Sequence, residues 1–297
     1  MKWNATTDSC NVGNLAIHRI VELEGQPFPA ENFFLDADME MVRKLASDLG
    51  PRHVDFASFE LLLSFQSFLI RTTRYTILVD MCIGNDKQRL NRPHWHMRQG
   101  EFLDNLAKVG VRPEDVDYIM CTHLHADHVG WNTRLVNGEW VPTFPNAQYL
   151  IAEKEYKHWL NEHEAGPAEP IQHGSFIDSV LPVVESGQAV MVDVDHGVEA
   201  GVYFEPAFGH TPGNVIIHVE AGGEHAIVCG DAIHHPVQLA RPDWSTQFCW
   251  DPAQSAATRR AMLEEHADTG TFILPAHFQS PAYGAITRDG DGFRLAD

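Results

Sequence analysis

Hydrophobic positions fall into short runs separated by polar or glycine-rich breaks, and their spacing predicts a mixed α/β chain. Residues 61–80 read LLLSFQSFLIRTTRYTILVD, two β-rich runs about the polar turn Arg71-Thr72-Thr73-Arg74, which predicts a hairpin. Upstream, Met41, Val42, Leu45 and Leu49 recur at helical spacing, and Gly50-Pro51 ends that segment. A second helix is predicted over 99–109, where Phe102, Leu103, Leu106 and Val109 share one face before Gly110. Residues 116–122 (VDYIMCT) read as a short buried strand, and a strand over 148–151 leads into a helix carrying Tyr156, Trp159 and Leu160. Further strands are expected at 190–194, 202–206, 215–219 and 226–230, the last two joined by an Ala221-Gly222-Gly223-Glu224 turn. Asp251 as N-cap and Pro252 at the first helical position open a helix reaching 267, Gly270 stops it, and a strand at 271–274 follows. The segments 131–145 and 161–176 read as long loops. Hairpins followed by strands mixed with helices predict packed sheets with helices outside. Neither a composition break nor an internal repeat divides the sequence, so one domain over 1–297 is expected.

Composition narrows the partners. The chain of 297 residues is 44% hydrophobic, enough to bury a sizeable core without disulfides. It carries 21 Lys+Arg against 41 Asp+Glu, a net charge of −20, which opposes binding to a phosphate backbone. The most apolar stretch, 61–70, is interrupted by Ser64, Gln66 and Ser67 and falls short of the ~18 residues of a membrane helix. Neither nucleic acid nor a membrane is an expected partner. The first residues lack an apolar leader run, which predicts residence in the cytoplasm. Five cysteines without a C-x-x-C pair suit reduced core thiols. The unusual figure is 18 histidines.

Their placement is informative. The strand at 116–122 runs directly into His123-Leu124-His125-Ala126-Asp127-His128. His210 follows the strand at 202–206, Asp231 ends the strand from 226, and His277 comes just after the last one. These seven ligand-type residues all lie at strand ends, so sheets with those ends along one edge bring them together. Imidazole and carboxylate donors without thiolate suit zinc, with manganese, iron or cobalt as alternatives.

These motifs resemble those of the metallo-β-lactamase-fold hydrolases. Thr122 to Gly130 is similar to the T-H-x-H-x-D-H-x-G signature of that family, and Gly209-His210-Thr211-Pro212-Gly213, Gly230-Asp231 and Pro275-Ala276-His277 are similar to its later ligand motifs. The resemblance spans 65–278 and implies an αβ/βα four-layer sandwich holding two zinc ions. By that resemblance His123, His125 and His210 hold one ion, Asp127, His128 and His277 hold the other, Asp231 bridges them, and Asp80 supports the ligand loop from below. It further implies a hydroxide between the metals that attacks the substrate, with Asp127 passing a proton to the leaving group.

Segments 100–109, 122–131 and 230–238 resemble the branch of N-acyl-homoserine lactonases, known as quorum-quenching enzymes, and methyl parathion hydrolase-like enzymes. Lactonases commonly carry a tyrosine three residues after the bridging aspartate; here that position is His234, expected to donate a hydrogen bond to the substrate. Phe33, Phe34, Trp95, Trp131, Phe144, Phe208 and Trp244 lie in or near predicted loops and are candidate pocket walls. The leading expectation is a dinuclear-zinc hydrolase that opens a small neutral lactone or cleaves a related carboxylic ester. A phosphotriesterase or arylesterase with the same metal site, a non-catalytic metal-dependent ligand sensor and a mononuclear iron oxygenase stay open.

Overall fold

The architecture follows from strands whose alternate residues face different partners. In a computed structural model, which describes residues 1–296, the chain begins with β1 (Trp3–Asn4), β2 (Ser9–Val12), β3 (Leu15–Phe28), β4 (Leu61–Arg71), β5 (Thr76–Val79) and β6 (Tyr118–Met120). A separate hairpin of β7 (Thr133–Val136) and β8 (Glu139–Pro142) precedes β9 (Gln148–Ala152) and β10 (Ala189–Val192). Among the described residues the first large sheet has eight strands in the order β1-β2-β3-β4-β5-β6-β9-β10. The second large sheet comprises β11 (Gly197–Glu199), β12 (Val202–Pro206), β13 (Val215–Ala221), β14 (Glu224–Gly230), β15 (Phe272–Pro275), β16 (Gly284–Asp289) and β17 (Gly292–Ala296), paired in sequence order. The helical segments are α1 (Met39–His53), α2 (Phe102–Lys108), α3 (Ala126–Val129), α4 (Glu153–Glu164), α5 (Leu181–Glu185), α6 (Val237–Ala240) and α7 (Pro252–His266).

The inner faces of the two sheets meet. Ile77 and Val79 of β5 pack with Val215, Ile217 and Val219 of β13 and with Val228 of β14 in one buried cluster. Leu78, one position out of phase, turns outward to meet Phe102 and Leu106 of α2 and Val183 of α5. Ile216 and Ile227 likewise face Met262 and Leu263 of α7. Helices therefore cover both outer faces, giving the αβ/βα four-layer sandwich. Strands with both faces covered read as continuous apolar runs rather than clean alternation. The Asp251 carboxylate accepts a hydrogen bond from the Gln254 N–H at 2.9 Å and caps α7, whose first residue is Pro252.

Several boundaries differ from expectation. The segment 131–145 is not a loop throughout but contains the β7/β8 hairpin, turned by Asn137-Gly138 with φ of 52° and 87°. An Asn-Gly pair favours this turn because both positions tolerate positive φ. The segment 161–176 begins inside α4, which continues to Glu164. Gly50 does break the first helix, with φ 65°, although a last turn carries α1 on to His53. The N-terminal strands β1 to β3 and the hairpin β16/β17 were not anticipated.

Candidate metal centre

Strand β6 ends at Met120, and the backbone then turns through 121–125 into the short helix α3. Asp80, just beyond β5, fixes this turn. Its carboxylate accepts from the Thr122 N–H and hydroxyl, each at 2.8 Å, and lies 2.8 Å from His128 Nδ1. Gly130 completes the arrangement: a Cβ there would lie 1.8 Å from the Ile83 carbonyl oxygen, so glycine alone lets the chain pass. The close strand-like pairing of this stretch includes Met81 N–H to the His128 carbonyl at 2.6 Å and Gly130 N–H to the Cys82 carbonyl at 2.8 Å.

Three further loops arrive from the second sheet. His210 follows β12, Asp231 follows β14 directly and His277 follows β15. The ligand atoms of His123, His125, His210 and Asp231 lie within 4.8 Å of one another, and those of Asp127, His128 and His277 form an adjacent group. The Asp231 carboxylate stands between them. Its Oδ2 is 3.1 Å from His210 Nε2 and 3.7 Å from His123 Nε2, while its Oδ1 is 2.9 Å from His277 Nε2 and 3.2 Å from His128 Nε2. His277 Nδ1 is held by the Ser64 carbonyl at 2.8 Å, which aims the other ring nitrogen inward.

The electrostatics fit cations. His123 Nε2, His128 Nε2 and Asp231 Oδ1 are buried without a well-directed hydrogen bond, so the ring nitrogens converge on the carboxylate without satisfying it. Burial followed by neighbouring imidazoles pushes His123 and His125 well below the ordinary histidine range. Burial works against the charge of His210, yet Asp231 raises it to about 9; His128, His234 and His277 in turn hold Asp231 well below the usual carboxylate range. Protons thus collect where positive charge is demanded, and divalent ions meet the same demand by displacing them. Five imidazoles and two carboxylates with no thiolate make a donor set suited to zinc.

The donors open onto a cavity of about 180 Å³, to which His125, Asp127, Asp231, His234 and His277 contribute. His234 is buried, with Nε2 3.1 Å from Asp231 Oδ2, and burial pushes it down to about 4, the neutral form. Phe33 and Trp95 stand on the cavity wall. Phe34 and Trp244 instead pack against each other at 5.6 Å, Trp131 stacks on Phe102 at 5.5 Å, Phe144 is enclosed behind the first sheet, and Phe208 lies beneath Lys154 Nζ at 3.4 Å. These five are corrections to the expected walls, because a large ring on a connection beside a sheet buries more area against the sheet than over a cleft. The remaining apolar wall comes from Phe28, Leu63, Phe65 and Phe248, with Arg92 at 5.6 Å from the Trp95 and Phe248 rings.

The profile of the metallo-beta-lactamase superfamily matches residues 66–277. The chain belongs to that superfamily. A probable metallo-hydrolase of Mycobacterium bovis is 26% identical over 199 residues, which is 60% of this chain and 59% of that protein. The chain thus spans about three fifths of the length of the first curated relatives it matches. An N-acyl homoserine lactonase of a Bacillus species is 30% identical over 129 residues, 42% of each chain. Among solved structures, the hydrolase AbOPH superposes with a TM-score of 0.80 at 23% identity, covering 97% of this superfamily member and 95% of AbOPH. AidC, a dizinc quorum-quenching lactonase in complex with a product, gives 0.78 at 22% identity, covering 97% and 96% of the two chains.

One residue that sequence reasoning missed helps hold the loops of this superfamily site. Glu155, buried at the start of α4, accepts from the Leu124 N–H at 3.0 Å and the Trp159 indole at 2.6 Å with one oxygen. With the other it accepts from the Thr211 hydroxyl at 2.7 Å and the Gly213 N–H at 2.9 Å. It ties the loop carrying His123 and His125 to the loop carrying His210.

Proposed function

We propose that the whole chain, 1–297, acts as a single-domain dinuclear zinc hydrolase in the cytoplasm, opening a small neutral lactone or cleaving a related carboxylic ester. The carrying observation is the Asp231 carboxylate, with one oxygen facing His123 and His210 and the other facing His128 and His277. In this reading His123, His125 and His210 hold one ion, Asp127, His128 and His277 hold the second, and Asp231 is shared.

Bound zinc supplies Lewis acidity, which polarises a carbonyl and brings water's pKa from 15.7 to about 7. The protein supplies the rest. Phe28, Phe33, Phe65 and Phe248 give an apolar wall suited to an acyl chain or ring and keep bulk water from the carbonyl. A neutral His234 donates one hydrogen bond to the substrate oxygen that gains charge. Asp127, whose side chain is 16% exposed and so reaches the cavity, would take the proton released by the attacking water and pass it to the departing alcohol oxygen.

N-acyl homoserine lactones are the first substrates to assay, since the Bacillus relatives carry that activity in their names. Zinc-loaded protein should be assayed on a panel of these lactones, other lactones, aryl esters and phosphotriesters, alongside metal counting. Fastest turnover on a lactone or carboxylic ester with two metals per chain is expected. Asp231→Ala should lower both occupancy and rate. Preferential phosphotriester hydrolysis would reassign the substrate class, and full activity of Asp231→Ala with two metals would remove its shared role.

A further inference from the structure

A second cluster of histidines lies far from the cavity, on the outer face of the second sheet. Strand β13 presents His218 and Glu220 on the face that carries Ile216 toward α7, and His225 of β14 pairs directly opposite Glu220. His225 is six residues from Asp231 along β14, about 20 Å at ~3.3 Å per residue, so the two clusters share a strand but no ligand.

The geometry within the cluster is close. His218 Nδ1 is 2.8 Å from His225 Nε2, and Glu220 Oε1 is 3.6 Å from that same nitrogen. Ligand atoms of all three residues fall within 4.8 Å of one another. Their outer atoms are braced. His225 Nδ1 lies 3.1 Å from the Thr271 hydroxyl, and His218 Nε2 lies 3.0 Å from the Glu205 carboxylate. The Tyr203 hydroxyl donates to Glu220 Oε1 at 2.7 Å, and its ring stacks on His218 at 4.8 Å and 2°. Oxygen partners on the far nitrogen of each imidazole are the arrangement that orients histidines toward a metal and raises their basicity. His218 is buried, and its Nε2 faces Glu205 without a well-directed hydrogen bond, while the Tyr203 ring holds the plane of the imidazole.

We propose that His218, Glu220 and His225 form a separate site for a divalent transition ion of the zinc type. Two imidazole nitrogens and one carboxylate oxygen supply three donors, and a fourth position opens toward His266, whose ring centre is 5.2 Å from that of His225. Because His266 closes α7, an ion here braces the end of that helix against the sheet, where the catalytic reading assigns nothing.

The rival occupant of the 2.8 Å gap is a single proton in an N–H···N hydrogen bond. Metal counting on the full chain, dialysed against micromolar free Zn²⁺, separates them. Wild type should hold one equivalent more than His225→Ala, whatever the wild-type total, and hydrolysis by the variant should be unchanged. Asp231→Ala should keep this equivalent and the double variant Asp231→Ala/His225→Ala should lose it. Glu220→Gln, at an exposed position, should weaken binding of the extra ion by about tenfold or more and serves if His225→Ala fails to fold. Equal metal content in wild type, His225→Ala and Glu220→Gln overturns the proposal and leaves a hydrogen-bonded histidine pair. The difference measurement is independent of the catalytic assignment, since failure at Asp231 leaves it readable.

Discussion

His234 is buried at the cavity, its ring 4.9 Å from His210 and 5.8 Å from His277, and neither of its ring nitrogens has a well-directed hydrogen bond. Such a donor is free for substrate. His234→Ala should therefore cost about 10²–10³ in kcat with metal content preserved, the scale of losing one oxyanion donor. His234→Tyr should recover part of the rate on lactones. Wild-type kcat/KM in the alanine variant would return the imidazole to a packing role, and loss of metal would make it a support. The strand-end donors were legible in sequence because His and Asp stand out after an apolar run. Glu155 and Glu22 were not. Each reads as an ordinary solvated acid, and only the folded chain shows Glu155 collecting four donors and Glu22 collecting Ile83 N–H, Gly84 N–H and the Trp131 indole. A buried carboxylate is identified by its partners, which lie 61 positions or more away for Glu22.

Elements position these residues by contact between backbones. The stretch after β5 and the stretch around α3 touch through Ile83 and Gly130, leaving no space for a methyl group. Gly130→Ala should destabilise the fold at or beyond the upper end of the ~1–3 kcal/mol typical of overpacking, and should disturb His128, two residues away. Thermal unfolding and metal counting on the variant check this; an unchanged midpoint would mean that the two stretches separate easily. The same scale shows why some strands escaped the hydrophobic pattern. Strand β3 buries Arg19 and Glu22, and its pairing with β4 shifts register between Val21 and Leu23 and again before Gln26, so neither composition nor alternation marks it. Arg19 is satisfied there by Gln66, Asp8 and Glu24. The β7/β8 hairpin did carry its signal in Asn137-Gly138, whereas the short strands make too little of a period to announce themselves.

Across the molecule, the buried His235 and the half-buried His53, both neutral and outside the cavity, couple stability to pH. Burial, aided by Arg52, pushes His53 down to about 4, and burial pushes the facing His235 to about 3. His235 Nε2 donates to the His53 carbonyl at 2.8 Å, a bond between uncharged groups. In the unfolded chain both titrate near 6.5. Between about pH 6.5 and 4 the unfolded state therefore binds more protons, and stability should fall as pH falls through that window. Unfolding midpoints across the window should decline less steeply in His53→Gln; parallel curves would show that His53 is not responsible. The layer order was legible because every apolar run faces a core, and the seven donors because they share strand ends. The cavity walls were not, since Phe28 at the end of β3 and Phe65 within β4 meet the cavity only beside loops remote in sequence. Finally, four donors follow a strand of the first sheet and three follow strands of the second, with His123 and His277 154 positions apart. Neither half carries the full donor set of the proposed centre, so the complete coordination forms only once the sheets dock, a late and non-local event. Zinc should then lower the unfolding rate and leave the refolding rate unchanged, making the ions a latch on escape rather than a seed for assembly.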